Sequence, residues 1–401
     1  MGSAGWDYSF SSSLKGSAGA PITVAQYPGE RATLDGRGAV HGALLVQYAA
    51  WAVFRGFEIT DSDSAPTSHP AGLWVRDSNN MKFINLVIHD MPGTGVGFWI
   101  ENTDSEIYGC LIYYNGRSRY EHGIYTDNRT GSKRIADSIL FNNYGYGVHG
   151  YASSPNDFEN NITLDGNVAF NNGLLAPGQP AQANLLLGVD TGGGSPAVNP
   201  AITNNYTYYA TQGPSGQSFG YAKGCINPVV MNNYFVGGTR WVNCTTNATI
   251  SGNSFYGSQV SGAGLVPSSW SFPGNTFTMA RPASAKIAVR PNTYEAGRGH
   301  VVVYNWGLQQ EILVDLSSVL SPGAGYEIRN ARNFFGNPVD SGIYSGEPVS
   351  IPMGGSQAVP VGFPSPAPSG PEFEVFVVLT TNPARVAPAV PKRGETTLRH
   401  E

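Results

Sequence analysis

Charged residues are scarce in this sequence of 401 residues, where Asp, Glu, Lys and Arg together make up 13%. There are only three cysteines, and no CxxC pair or Cys/His cluster indicates a zinc site. No run of 18 apolar residues is present, so we expect no membrane-spanning helix. The net charge of −5 comes without a basic patch, which argues against binding to nucleic acid.

What is abundant is the set of residues that form turns. Glycine occurs 51 times, and Asn, Ser and Thr are frequent. Apolar residues make up 41%, enough for a folded core. Together these features predict an all-β protein. Cys225 and Cys244 lie close enough in the sequence to pair, and Cys110 is expected to be a free buried thiol.

A short pattern recurs four times between residues 72 and 151, with copies starting at Gly72, Gly97, Gly123 and Gly147. A fixed period of this size indicates a solenoid. Apolar residues alternate with other residues inside each copy, as in a half-buried strand. A second series of strands, with Gly, Asn or Asp at each corner, runs beside the first from residue 56 to about 255. These residue types tolerate the left-handed backbone of a tight corner.

These coils, together with the segment at 21–36, resemble the right-handed parallel β-helix proteins of the pectate-lyase-like superfamily. The resemblance covers roughly residues 20–280. It implies a β-helix fold and an activity on polysaccharides, although the superfamily also contains esterases, phage tailspikes and binding proteins. The paired aspartates and Arg-Ile-Lys pattern of polygalacturonases are missing.

The sequence predicts an all-β chain in which a right-handed parallel β-helix precedes a small antiparallel β-sandwich. The expected parts are a disordered lead-in (1–20), the β-helix (21–282, with a cap at 21–36), a β-sandwich module (285–385) and a disordered tail (386–401). Because surfaces of this kind suit secreted proteins, we expect a secreted protein whose signal segment has been removed.

Aligning the four copies predicts two ladders of outward side chains. One contains Trp74, Trp99, Tyr125 and His149, and the other contains Arg76, Glu101, Asp127 and Tyr151. Neighbouring rungs lie about 4.8 Å apart, so Glu101 and Asp127 are expected at roughly the spacing of a retaining glycosidase pair. Arg76 would keep Glu101 ionised as the nucleophile, and Asp127 would stay protonated as the acid. A plain solvated face, or a Ca²⁺ held by both carboxylates, are the alternatives.

The aromatic ladder is expected to stack on sugar rings, unless it forms a second core beneath the loops. His149 is a candidate acid or base, with capping of the aromatic stack as the alternative. Asp190 is a reserve carboxylate. Lys133 and Arg134 are interpreted as turn residues that could serve a lyase.

We therefore expect a glycoside hydrolase that degrades a polysaccharide bound along this face, with no cofactor unless calcium is used. In the alternative, a polysaccharide lyase, His149 or Tyr151 would take the proton. Arg76 or Ca²⁺ would then neutralise the uronate carboxylate. A third alternative is a glycan-binding or structural β-helix without turnover.

Overall fold

The computed structural model describes residues 10–175, 182–209, 216–257 and 272–381. This part of the chain consists of β-strands and a single 3-10 helix, and it contains no helix long and apolar enough to cross a membrane. The tail predicted at 386–401 and residues 1–9 of the predicted lead-in lie outside the described residues.

The described residues between 10 and 278 wind into a parallel β-helix, as predicted, and each coil gives one strand in turn to three parallel sheets. Sheet 1 contains Phe10–Ser12, Gly42–Gln47, Ala71–Arg76, Val96–Phe98, Ile124–Thr126, Val148–Ala152, Leu185–Val189, Gln217–Tyr221 and Thr239–Trp241. Sheet 2 contains Ile22–Ala25, Ala52–Arg55, Lys82–Ile84, Ser105–Tyr108, Lys133–Ala136, Ile162–Asp165, Ala201–Thr203, Val229–Met231 and Thr249–Ser251. Sheet 3 contains Thr33–Asp35, Glu58–Thr60, Val87–His89, Leu111–Tyr113, Ile139–Phe141, Val168–Phe170, Tyr206–Tyr208, Tyr234–Val236, Ser254–Tyr256 and Thr276–Thr278. A short parallel pair joins Ala197–Val198 to Cys225–Ile226.

The start of the chain differs from the expected disordered lead-in and cap. Phe10–Ser12 pairs in parallel with Gly42–Gln47, where an unpaired edge strand would otherwise remain. Ile22–Ala25 and Thr33–Asp35, expected as a cap, are the first rungs of sheets 2 and 3.

Two ladders of buried asparagines hold the corners of the coils. One contains Asn115, Asn143, Asn172 and Asn184, between sheets 3 and 1. The other contains Asn167, Asn205, Asn233 and Asn253, between sheets 2 and 3, and ends at the half-buried Asn275. Each side-chain amide donates to the next Oδ1, so polar groups inside the coil are paired along the axis.

The C-terminal module is antiparallel, as predicted. One sheet contains Lys286–Pro291, Arg298–Tyr304, Phe373–Thr380, Gly325–Asn330 and Asp340–Ile343, and Glu311–Val314 pairs with Val349–Pro352. The 3-10 helix is Ala331–Asn333. One face of the larger sheet packs on sheet 3, where Tyr304 and Phe373 join Phe141 and Phe170 in one buried cluster. This shared core couples the module to the β-helix more closely than a flexible tether would.

The cysteines occupy both of the expected states. Cys225 and Cys244 form a disulfide. Cys110 is a free thiol inside the coil, and burial raises its pKa to about 12.

Candidate functional site

The strand register differs from the predicted one in the second coil. Gly97 pairs with both Trp74 and Tyr125, so the copies align at Gly72, Gly95, Gly123 and Gly147. The predicted copy starting at Gly97 was therefore wrong by two residues. Both glycines fit the sequence pattern, and only the backbone pairing separates them.

The aromatic ladder nevertheless forms, because the Trp99 side chain folds back over Gly97. A Cβ on Gly97 would lie 2.8 Å from Trp99 Nε1. The Trp99 ring centroid is 5.0 Å from that of Trp74 and 5.1 Å from that of Tyr125. Because Gly97 has no side chain, the Trp99 indole can occupy its position in the ladder.

The ladder continues along sheet 1. The His149 ring stacks between Tyr146 and Tyr151, with centroid distances of 4.3 and 4.8 Å. Tyr151 then meets Tyr221 edge-on at 5.5 Å. We call this half-buried set the aromatic ladder: Trp74, Trp99, Tyr125, Tyr146, His149, Tyr151 and Tyr221. It extends over five rung-to-rung steps, or roughly 24 Å.

The predicted column of charges is rearranged by the same shift in register. The residues in register are Arg76, Trp99, Asp127 and Tyr151. Glu101 is exposed in the following turn, where Asn102 N donates to Trp99 O at 3.0 Å. Arg76 Nε lies 3.3 Å from Asp77 Oδ2 instead of pairing with Glu101. The predicted adjacent pair of Glu101 and Asp127, with Arg76 beside Glu101, is therefore not formed.

Asp127 lies in this column between Trp99 and Tyr151. Its side chain is 4% exposed, and its Oδ1 is buried without a hydrogen-bond partner among the described residues. Burial raises the pKa of Asp127; Lys133 opposes this shift, and the charges of Asp157 and Glu101 add to it. The carboxyl group therefore favours its protonated form, chiefly because it is buried.

Lys133 is the first residue of a strand in sheet 2 and points into the coil, although it was predicted to be a turn residue. Its Nζ donates to the carbonyl oxygens of Phe98 at 2.8 Å, Trp99 at 2.5 Å and Asp127 at 2.8 Å. These three bonds use all three protons of an ammonium group. Burial lowers the pKa of Lys133, and the nearby carboxylates oppose that shift. The side chain therefore holds a corner of the coil together and is closed to solvent.

Arg134, the other predicted turn residue, lies in the same strand. It pairs with Glu106 at 2.5 Å and with Asp165 at 2.8 Å. Its guanidinium is thus bound within sheet 2 and does not face the aromatic ladder.

Sequence analysis missed Glu159, which is completely buried. Both of its carboxyl oxygens lack a hydrogen-bond partner among the described residues, and Oε2 lies 3.1 Å from where a Cβ on Gly150 would stand. Burial raises its pKa well above the ordinary value, and the charge of Asp127 adds to this. Gly150, the small residue in an otherwise bulky strand, was the only signal that something approaches this rung.

Burial favours the neutral forms of His149, which belongs to the ladder, and of His122, which lies beside it. Burial lowers the pKa of His149 to about 3, and it holds the pKa of His122 well below its usual value. His122 Nδ1 accepts from Tyr146 N at 3.2 Å, and its ring lies 4.2 Å from that of His149. These contacts favour the stacking role of His149 over a role in proton transfer.

Tyr151 and Asp190 form a hydrogen bond towards the far end of the ladder. Tyr151 Oη donates to Asp190 Oδ2 at 2.9 Å. The backbone N–H of Thr191, with Tyr151, lowers the pKa of Asp190, whereas burial and Asp190 raise the pKa of Tyr151. The pair therefore presents an ionised carboxylate and a neutral phenol.

The match to a family model supports the same fold. Residues 37–184 match the family model described as "Right handed beta helix region". The chain folds as a right-handed parallel β-helix. No curated protein matches the sequence.

Three solved structures illustrate the range of proteins that resemble this β-helix. The pectate lyase Pel9A is 18% identical over 68% of this chain and 69% of its own, with a TM-score of 0.44. An alginate lyase from Paenibacillus sp. str. FPU-7 is 18% identical over 61% and 87%, with a TM-score of 0.36. An endo-xylogalacturonan hydrolase from Aspergillus tubingensis is 12% identical over 58% and 75%, with a TM-score of 0.32. Similarity at this level carries no argument about activity, which must come from the site itself.

The calcium alternative requires several oxygen ligands in one place. In the described ranges, no three His, Cys, Asp or Glu side chains lie together as metal ligands. Glu101 and Asp127, the two expected ligands, do not share a column of this β-helix. These residues therefore do not fit a calcium site.

Proposed function

We propose that this protein is a glycoside hydrolase that cleaves a polysaccharide bound along the aromatic ladder, with Asp127 as the general acid. The observation that carries the proposal is the buried Asp127 carboxyl group between Trp99 and Tyr151. A carboxylic acid whose pKa is raised by an apolar site can protonate a departing sugar oxygen near neutral pH.

The ladder supports a long, linear ligand. Its rings are half-buried, and they follow one another along sheet 1 over roughly 24 Å. Aromatic faces provide apolar surface for the C–H faces of sugar rings. A polysaccharide lying parallel to the β-helix axis would contact several of these rings at once.

Glu101 is the proposed second carboxylate. It is exposed in the turn after Trp99, and its charge acts on Asp127. Glu101 lies outside the column of Asp127. The strand spacing therefore does not fix the distance between the two carboxyl groups at the separation of about 5 Å of a retaining pair. Glu101 is proposed as the base that activates water, and the configuration of the released sugar would separate inversion from retention.

The candidate proton acceptors for a lyase are either engaged in hydrogen bonds or weakly basic. Lys133 gives its three protons to backbone carbonyls. His149 has a pKa of about 3, and Tyr151 donates to Asp190. A lyase needs a sufficiently basic group near the substrate. Burial makes His149 a weak base, and the Tyr151 phenol keeps its proton in the bond to Asp190, so these features support hydrolysis over elimination.

We also propose that the protein is secreted. The Cys225–Cys244 disulfide supports this, because disulfides persist in oxidising compartments.

The experiment is a screen of polysaccharides with wild type and Asp127→Asn, in which new reducing ends and ultraviolet-absorbing unsaturated ends are both measured. Wild type should release reducing ends without unsaturated ends, and Asp127→Asn should lose at least about 100-fold in rate. Asp104→Asn is the control, because Asp104 directly precedes the sheet 2 strand Ser105–Tyr108 and accepts from Ser132 N at 3.0 Å outside the ladder. Unsaturated products, or full activity in Asp127→Asn, would refute the proposal.

A further inference from the structure

The aromatic ladder ends at Tyr221, on the side away from Trp74. The Tyr221 side chain lies against Gly188, where an added Cβ would be 2.6 Å from Tyr221 Cβ. The backbone of Tyr221 has a φ of 50°, which is uncommon for an aromatic residue. The ring therefore reaches the ladder through space that a glycine leaves, as the Trp99 ring does at Gly97.

An exposed arginine, Arg240, covers this last ring of the ladder. It belongs to the sheet 1 column that contains His149, Leu186 and Ser218. Its guanidinium lies 5.1 Å from the centre of the Tyr221 ring, within the range of a cation–π contact. A guanidinium held over a ring keeps the N–H groups on its edge, and this planar edge matches the oxygens of a carboxylate or a sulfate.

A second arginine acts on the same part of the ladder. Burial, followed by Tyr221, raises the pKa of Tyr146, whereas the charges of Arg119 and Arg240 oppose this shift. Both guanidinium groups are therefore close enough to the Tyr146 phenol to affect its charge. The positive potential at this end comes from a sheet 1 strand on one side and from a loop on the other.

Two carboxylates towards this end of the ladder are bound to other partners. Asp190 accepts from Tyr151 Oη at 2.9 Å, and Glu121 pairs with His69. Among the described residues, no carboxylate forms an ion pair with Arg240. Its charge is therefore available to an anionic ligand.

The other end of the ladder differs in its charges. Glu101 and Asp157 are near enough to Asp127 for their charges to raise its pKa. Arg76 is half-exposed in the column of Asp127, but its Nε lies 3.3 Å from Asp77 Oδ2. The cation at that end thus has a carboxylate partner, whereas Arg240 has none among the described residues.

We propose that Arg240, together with Tyr221, forms a subsite for an anionic group carried by the glycan, either a carboxylate or a sulfate ester. This inference rests on the proposed function and adds to it the recognition of one charged sugar. The strand of Arg240 lies four rungs beyond Ile124–Thr126, the strand that Asp127 follows, or roughly 19 Å along the axis. The charged group therefore binds well away from the bond that is cleaved.

The first test measures binding and does not require cleavage. Affinity electrophoresis compares wild type and Arg240→Gln on polygalacturonate and alginate, which carry carboxylates, on carrageenan, which carries sulfates, and on neutral xylan, mannan and β-glucan. We expect an anionic polymer to bind wild type, Arg240→Gln to weaken that binding about tenfold, and neutral polymers to bind both proteins alike. The polymer that responds shows whether the group is a carboxylate or a sulfate. An unchanged affinity for every anionic polymer, or an equal loss for neutral and anionic ones, would overturn the subsite.

Arg37→Gln is the matched control for the loss of one positive charge. Arg37 is also exposed, and it lies after Thr33–Asp35 near the start of the β-helix, far from Arg240. Arg37→Gln should leave binding unchanged, and an equal loss in both variants would reveal an effect of net charge and overturn the subsite. Arg240→Lys keeps the charge without the planar edge, so it should retain part of the affinity. The effect of Arg240→Gln should shrink at 0.5 M salt as the charges are screened.

Failure of this subsite and failure of the proposed hydrolase give different results. If Asp127→Asn loses activity but Arg240→Gln binds every anionic polymer as wild type does, only the subsite is refuted. If Asp127→Asn keeps full activity, the assignment of the hydrolase is refuted, and the binding measurements still decide whether Arg240 recognises an anionic glycan.

Discussion

Gly97→Ala is the most specific test of the aromatic ladder. The new Cβ would lie 2.8 Å from Trp99 Nε1 and 3.2 Å from Cε2, so the indole must leave its place over the strand. Trp99 would then lose its contacts with Trp74 and Tyr125, each worth about 0.5–1.5 kcal/mol. Removing a glycine restores about 0.4–1 kcal/mol by restricting the unfolded chain. The net loss of unfolding free energy should be about 0–2.6 kcal/mol.

Binding should change more clearly than stability. Loss of one stacking ring should weaken glycan binding by about two- to thirteenfold, using the same 0.5–1.5 kcal/mol for one aromatic contact. Isothermal titration calorimetry with the glycan that the protein cleaves measures the affinity, and urea unfolding measures the stability. Gly307→Ala is the control, because its Cβ would meet only Gln309 Cγ at 3.7 Å. Unchanged affinity in Gly97→Ala would show that the Trp99 ring does not contribute to the binding surface.

Three further predictions concern stability. Asn205→Ala leaves Asn167 N and Leu164 O unpaired inside the coil, so urea unfolding should show a loss of at least about 2 kcal/mol; an unchanged midpoint would contradict the ladder's role. Burial acts to raise the pKa of Glu58, but hydrogen bonds, led by that from His89, hold it at about 2. Its stabilisation is thus present above about pH 4.5 and lost as the pH falls towards 2, so melting curves of wild type and Glu58→Gln should converge there rather than stay parallel. Arg332→Met leaves the buried Glu374 carboxylate without its ion-pair partner and should lower the free energy of unfolding by about 3–5 kcal/mol. The double variant Arg332→Met with Glu374→Leu should regain much of this loss. Equal losses in the single and double variants would contradict the role of an unpaired buried charge.

The fold could be predicted from the sequence because a solenoid repeats the same residue pattern in every coil. Every coil places apolar residues inside and Gly, Asn or Asp at the corners, so an error in one coil leaves the others intact. The register of the second coil could not be predicted, because Gly95 and Gly97 fit the pattern equally. The aromatic ladder was still anticipated correctly, since Trp99 reaches the place that Gly97 leaves open.

The polar part of the site was less predictable. Lys133 shares strand parity with the buried Ile135, which was an available sign that it points inward. Strand parity could not indicate the direction of Glu159, because this residue joins the coil through an isolated bridge to Asn128 outside the repeating strands. Asp127 was predicted to be protonated because of a neighbouring Glu101, whereas burial is the larger cause. Periodicity describes strands well, but it says little about side chains held by turns.

The most direct measurement for the proposed hydrolase is the dependence of rate on the leaving group. Aryl glycosides of the released sugar, with phenols of graded acidity, would be cleaved by wild type and by Asp127→Asn. If Asp127 donates the proton, the variant should lose most activity on poor leaving groups and keep much of it on the most acidic phenols. A loss that is the same for every leaving group, or no loss at all, would contradict the assignment of Asp127 as the general acid.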